Sequence, residues 1–221
     1  MKYPRTYHLP FSPGATSDDK RLADGWFEKY LGREVVITEK LDGENIHMNQ
    51  KDCYARSDGA PTRSPWSRNI WDSRDGLYWK VKSCLGETET IFGENLYGEH
   101  SIKYDRLPFY FHLFAVSDDR GWYSWDDVSL MANLLGIPTV PVLWRGIFNT
   151  EESLKALVEK LVQDPSVYGD TREGVVVRIT ESFPIEDFPK YVCKWIRAGH
   201  VQTDQHWTKT WKKAELYYET D

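Results

Sequence analysis

Short apolar runs of strand length recur along this chain in clusters, and few stretches carry a helical period. Strands alternating strictly with helices would build a doubly wound parallel sheet, whereas clustered strands build α+β folds with antiparallel sheets. Val35-Val36-Ile37 and the alternation through Ile46 and Met48 read as strands, broken by the turn pair Asp42-Gly43. Cys53 to Ser57 reads as the return strand. Thr90 to Leu96, Phe109 to Val116, Val140 to Trp144, Gly174 to Ile179 and Tyr191 to Ile196 bring the count to about eight. Four helices are expected. Ser17 to Leu31 places Leu22, Trp26, Phe27, Tyr30 and Leu31 at three- and four-residue spacing, with Gly32 after its end. Ser124 is a good N-cap for Trp125 to Leu135, which Gly136 and Pro138 end. Asn149 or Thr150 caps Glu151 to Gln163, with Leu154, Leu157, Val158 and Leu161 on one face. The stretch from Thr203 is the fourth, with Lys209, Lys212 and Lys213 near its end. Residues 58–76, rich in Ser, Arg, Pro, Asp and Gly, read as a loop.

Composition narrows the class. At 221 residues one core can bury most of the apolar surface, and a single domain spanning 1–221 is expected. The net charge of −6 excludes a generally basic nucleic-acid coat, so nucleic-acid contacts must come from local patches. No apolar run approaches the ~18 residues of a membrane span, and the first residues lack the apolar segment of a secretory signal, so no membrane partner is expected. Cys53, Cys84 and Cys193 form no CxxC pair, and the histidines show no HExxH, which fits a reducing cytoplasm (a host's, for a phage-encoded chain) rather than a disulfide framework or zinc ribbon. Neither common phosphate loop, GxGxxG or GxxxxGK[ST], occurs. Aromatic residues, at 14%, are the one excess: most belong to a core, and some are candidate stacking platforms for bases.

The sharpest local feature is Glu39-Lys40-Leu41-Asp42-Gly43-Glu44-Asn45, where a lysine stands between a β-run and a tight turn. Alone, Lys-x-Asp-Gly reads best as a surface turn with a solvated lysine. It has company. Phe92-Gly93-Glu94 ends a strand in a carboxylate, Phe111-His112-Leu113-Phe114 is an aromatic strand, and Arg172-Glu173-Gly174 leads a carboxylate into Val175-Val176-Val177-Arg178. Val192-Cys193-Lys194-Trp195-Ile196-Arg197 carries two cations. In that order the parts suit nucleotidyl transfer. A lysine attacks a nucleotide α-phosphate, carboxylates place Mg²⁺ and contact the sugar, an aromatic stacks on the base, and late cations neutralise phosphates. A free lysine, with a pKa of about 10.4, must first lose its proton, which a divalent metal or nearby cations favour. Unpaired carboxylates beside apolar strands are costly, which favours a functional role for Glu94 and Glu173.

Lys40-x-Asp42-Gly43, Phe92-Gly93-Glu94, Glu173-Gly174-x-Val176 and the Lys194 segment resemble the ordered motifs of the covalent nucleotidyltransferases: ATP-dependent RNA and DNA ligases and mRNA capping enzymes. The match runs from about residue 34 to 198 and is nearest to phage-type RNA ligases, the group of the second RNA ligase of phage T4 and the trypanosome editing ligases. Asn45, five residues after Lys40, Tyr54-Ala55-Arg56-Ser57, and Gly199-His200-Val201-Gln202-Thr203-Asp204 with His206-Trp207 are also similar to that group.

The resemblance implies a nucleotidyltransferase, ATP-grasp-like fold of antiparallel sheets with flanking helices around an ATP cleft. It implies that Lys40 forms a lysyl–AMP phosphoramidate, that Glu39 contacts adenine through its main chain, and that Asn45 and Arg56 reach the ribose or the acceptor 5′-phosphate. Glu94 would contact the ribose and help arrange the metal, Phe114 would stack on adenine, Glu173 would bind Mg²⁺ or Mn²⁺, and Lys194 would contact the α-phosphate. Phe111 competes with Phe114 for the stacking role, and core packing competes with both. The expected partner is RNA with 5′-phosphate and 3′-hydroxyl ends. Its contacts would come from Arg56, Arg63, Lys80 and Lys82, and from Arg68, Arg74, Lys103 and Arg106, with Trp66, Trp71 and Trp79 interleaved. The alternative for that region is a solvated loop with buried tryptophans.

The chain departs from the family pattern at three points. Arg178 stands where many members have lysine, and Lys194 is followed by Ile196 and Arg197 rather than by an alternating lysine. Only about 24 residues follow Arg197, so no C-terminal OB-fold is expected. A minimal RNA ligase is therefore expected. The alternatives are an ATP-dependent DNA ligase or nick-sealing ligase of broad specificity, a degenerate nucleotide- or RNA-end-binding module, and a catalytic half whose substrate domain is a separate protein.

Overall fold

The computed structural model of the protein describes residues 1–56, 59–72, 74, 76–200 and 211–219. Its strands are β1 (Tyr7–His8), β2 (Glu34–Lys40), β3 (Glu44–Met48), β4 (Cys53–Ala55), β5 (Thr90–Asn95), β6 (Phe111–Ser117), β7 (Val142–Ile147), β8 (Gly174–Ile179) and β9 (Val192–Ile196). The helices are α1 (Arg68–Trp71), α2 (Leu77–Lys82), α3 (Trp125–Leu135), α4 (Glu151–Leu161) and α5 (Phe188–Tyr191). One sheet has the order β1-β9-β8-β2-β7 and the other β4-β3-β5-β6. Among these described strands every ladder is antiparallel except that of β1 with β9. The α+β class with antiparallel sheets is thus the observed one.

β2 explains how the two sheets share a molecule. Its five central residues are all buried. Val36 packs into a cluster with Ile46, Ile91, Leu113 and α3, whereas Val35 and Ile37 pack into a second cluster with Val175, Val177, Phe188 and α4. Alternation sends successive side chains to opposite faces, so one strand feeds both cores. The chain then leaves one sheet at Lys40 and enters the other at Glu44. Asp42-Gly43 is therefore a crossover between sheets and not a hairpin turn. It passes so close to β5 that a Cβ on Gly43 would lie 2.6 Å from the Asn95 carbonyl oxygen.

α3 is capped as expected: the Ser124 hydroxyl accepts from the Asp127 N–H at 3.1 Å, and Gly136 takes a left-handed φ of 65°. Thr150, not Asn149, caps α4. The helix expected over Ser17 to Leu31 is a single 3₁₀ turn, Trp26–Lys29. Gly25, at φ 75°, interrupts the helical path, and the preceding segment hydrogen-bonds to β1 instead, from His8 N–H to the Lys20 carbonyl and from Leu22 N–H to the His8 carbonyl. Trp26, Phe27 and Tyr30 are nonetheless buried, while Leu31 is exposed. The loop expected over 58–76 holds a 3₁₀ turn, Pro65–Ser67, and α1; α2 follows it. Of the expected C-terminal helix, residues 201–210 lie outside the described residues, and 211–219 contain an isolated bridge from Lys213 to Gly98 and a 3₁₀ turn at Tyr217–Glu219.

Candidate active site

Strand register builds the site. β2 pairs with β8 so that Lys40 lies opposite Gly174, the residue after Glu173. β8 pairs with β9 so that Val176 lies opposite Lys194. A side chain at 174 would run into the Trp195 carbonyl, so the close approach of β8 and β9 beneath the site requires glycine there. In the other sheet β3 sets Asn45 opposite Glu94 of β5. Between β5 and β6 the register passes from Phe92–Ala115 to Gly93–Leu113, leaving Phe114 as the extra residue of a β-bulge. A bulge re-aims its side chain, and Phe114 turns to the space between the sheets while Phe111 is buried in the core.

That space is a cleft of about 800 Å³. Its wall includes Lys40, Glu173 and Lys194 from one sheet and Asn45, Glu94 and Phe114 from the other. Arg56 and Glu39 border it too. Every residue expected to act in catalysis, nucleotide binding or metal binding therefore borders one cavity. Arg63, Lys80 and Lys82 do not. Arg63 pairs with Asp52 at 2.8 Å, and Lys82 lies over the rings of Tyr78 and Trp79 at 5.5 Å. Trp66 borders the cleft, and Trp79 of α2 is half exposed.

Charge is concentrated where the sheets meet. Lys40 Nζ donates to Glu173 Oε2 at 2.8 Å. Burial works to lower the Lys40 pKa, but Glu173, Glu94 and Asp42 outweigh it and hold the amine above the usual lysine range. Burial pushes Glu173 up to about 7 and Glu94 up to about 8, against the pull of Lys40. Glu94 Oε1 accepts from the Gly43 N–H at 3.0 Å, which ties the crossover to β5. Burial, then the charge of Lys40, lowers Lys194 to about 8. Glu39 turns its side chain inward, accepting from the Val167 N–H at 2.9 Å and facing Arg172 at 3.7 Å, so any contact it makes in the cleft is through the main chain.

Sequence reasoning assigned no site role to several residues at or beside the cleft. Tyr3, at its N-terminal border, packs edge-on to Phe114 with ring centroids 4.8 Å apart. Arg178 donates to the Phe114 carbonyl and lies over the Trp125 ring, so it braces the bulge from below. Asp42 and His200 stand beside Glu173: His200 Nε2 is 3.7 Å from Asp42 Oδ1 and 3.4 Å from Glu173 Oε1. Asp42 and His200 belong to stretches with a distinctive local pattern, whereas nothing local marks Tyr3. A divalent cation fits these residues, because Glu173 Oε1 is buried without a hydrogen-bond partner and hard oxygen donors converge there.

Two sheets closing on a strand-end lysine that faces the buried Glu173 carboxylate define a nucleotidyltransferase fold, shared with solved ligases. The chain belongs to the RNA ligase family, whose profile matches residues 33–196. It is similar to an archaeal ATP-dependent RNA ligase, with 14% identity and a TM-score of 0.58 over 89% of this chain and 48% of that one. A Naegleria gruberi RNA ligase mutant with ATP and Mn matches at 16% identity and a TM-score of 0.56, over 90% of this chain and 57% of that one. A putative ATP-dependent DNA ligase from Aquifex aeolicus matches at 17% identity and a TM-score of 0.54, over 89% and 50%. The chain spans about half the length of these structures. No curated protein matches the sequence. Among the described residues no helix is long and apolar enough to cross a membrane.

Proposed function

We propose that the protein is an ATP-dependent RNA ligase that works through a covalent lysyl–AMP intermediate. The observation that carries this reading is Lys40 hydrogen-bonded to the buried Glu173 inside a cleft bordered by Glu94, Phe114 and Lys194. Membership of the RNA ligase family supports an RNA substrate, and the ATP and Mn named for the Naegleria structure support those ligands here.

In the first step the Lys40 Nζ lone pair forms a bond to the ATP α-phosphorus, the α–β phosphoanhydride bond breaks, and pyrophosphate leaves. Lys40 must give up protons to do so, and Glu173 Oε2 is the nearest acceptor. Lys194 offers a cation to the α-phosphate, and Phe114, held by the bulge, offers its ring to the base. A divalent ion at Glu173 would supply positive charge that favours the neutral amine and screens the phosphates. AMP then passes to an RNA 5′-phosphate with restoration of Lys40, and a 3′-hydroxyl displaces AMP to seal the strand. Arg56, at the rim, is suited to the 5′-phosphate.

Incubation with ATP labelled at the α-phosphate, followed by a denaturing gel, tests the first step. A covalent band with ATP but not GTP is expected, and Lys40→Ala should abolish it. Labelling that persists in that variant would remove Lys40 as the nucleophile. RNA and DNA strands of one sequence, each with a 5′-phosphate, then separate the RNA reading from a DNA ligase.

A further inference from the structure

We infer that Asp42, Glu173 and His200 form a divalent-metal site with two carboxylate oxygens and one imidazole nitrogen, suited to a first-row transition ion over Mg²⁺. The inference rests on the ligase reading for the role of the ion, and the site itself is testable without nucleotide. One ligand atom from each residue lies within 4.8 Å of the others.

Each carboxylate has one oxygen pinned and the other left over. Asp42 Oδ2 accepts from the Ser101 N–H at 3.0 Å, the Ser101 hydroxyl at 2.6 Å and the Ile102 N–H at 3.0 Å, while Oδ1 faces His200. Glu173 Oε2 accepts from Lys40, while Oε1 faces His200. Both side chains that meet at that second contact are 1% exposed. Yet Glu173 Oε1 and both ring nitrogens of His200 lack a hydrogen-bond partner among the described residues. Buried polar atoms are seldom left this way, and two of them, Glu173 Oε1 and His200 Nε2, converge with Asp42 Oδ1 in an arrangement that fits a cation. Adjacent ligands at about 2.1 Å from an octahedral ion lie roughly 3 Å apart, so the His200 separations of 3.4 and 3.7 Å need only slight closure, and the two carboxylate oxygens, within 4.8 Å of each other, must draw in with them.

The donor set points to the kind of ion. Mg²⁺ favours oxygen ligands and keeps its waters, whereas imidazole nitrogen adds affinity for first-row transition ions. Glu94 is not among the three converging residues; its Oε1 is engaged by Gly43. Glu173 would thus present one oxygen to the nucleophile and the other to the ion.

The test uses Mn²⁺ on the nucleotide-free chain, followed by electron paramagnetic resonance. Wild type should bind Mn²⁺ with nitrogen hyperfine coupling in pulsed spectra, and an equal concentration of Mg²⁺ should displace little of it. His200→Ala should lose the coupling and weaken Mn²⁺ at least about tenfold. His200→Asp should bind without coupling and with the preference over Mg²⁺ gone. Bound Mn²⁺ without nitrogen coupling in wild type, or unchanged Mn²⁺ affinity in a folded His200→Ala, would overturn the site. Covalent labelling by ATP is scored separately. A chain that shows the coupling but never labels keeps the metal site and loses the ligase reading. A chain that labels with Mg²⁺ but shows no coupling does the reverse.

Discussion

Lys40 is held protonated by the acids around it, while Lys194, facing the same cleft, titrates near neutrality at about 8. For the proposed adenylylation, their opposite shifts predict a shaped pH profile. At subsaturating ATP the labelling rate reports the free protein. It should rise with pH as the neutral fraction of Lys40 grows, then level or fall above about pH 8 as Lys194 loses its charge. Lys194→Arg keeps the charge at all accessible pH values, so its profile should keep rising past that point even if its absolute rate is lower. A turn at the same pH in that variant would assign the limb to another group. That Lys40 and Glu94 border one cleft was legible because Lys40 ends β2 and Glu94 lies near the end of β5, each in a stretch of distinctive local pattern. The Tyr3–Phe114 and Glu173–His200 contacts were not legible, because only the tertiary path brings those segments together.

Among the elements, β6 shows how backbone irregularity assigns roles to neighbours of the same type. The bulge leaves Phe114 unpaired and facing the cleft, while Phe111 lies over Gly93, where an added Cβ would strike its ring. Phe114→Ala should weaken ATP by about 1–3 kcal/mol, the range of an aromatic–base stack, with little loss of fold stability. Phe111→Ala should instead cost about 3–5 kcal/mol of stability, the range for a buried aromatic. Isothermal titration with ATP and urea unfolding of both variants check this, and the reverse pattern would exchange the two roles. Sequence alone left Phe111 and Phe114 in competition, since alternation has no term for an inserted residue. It located α3 to the residue because Ser124 and Gly136 are chemical end signals. Ser124→Ala should therefore destabilise by about 1 kcal/mol in urea unfolding. The first expected helix failed for the converse reason: its apolar spacing is real, but Gly25 and the bonds to β1 settle its path.

At the scale of the whole molecule, buried titratable groups set opposing limbs on stability. His8 and His47 are lowered to about 4 and His112 to about 3, burial being the largest cause in each. The unfolded chain takes up these protons near pH 6.5, so this stability is complete above pH 6.5 and is lost as pH falls towards 3–4. Glu173 and Glu94 run the other way. Raised to about 7 and about 8, they favour the folded state below the unfolded glutamate value of about 4.5, and that contribution is lost as pH rises through 7–8. From these five groups stability should peak near pH 6.5, fall towards pH 4.5 with a net slope of about one proton as the two carboxylates offset two of the three histidines, and drop more steeply just below it. His112 is the informative variant. It is fully buried on β6, away from the Lys40–Glu173 pair, and neither ring nitrogen has a partner among the described residues. His112→Leu should stabilise by about 1–3 kcal/mol at neutral pH, by removing unsatisfied buried nitrogens. It should also reduce the acid slope by one proton, about 1.4 kcal/mol per pH unit. Urea unfolding between about pH 4 and 8 measures both. An unchanged acid slope would mean that His112 is paired in the folded protein, and a maximum well above pH 7 would mean that the cleft carboxylates ionise without cost.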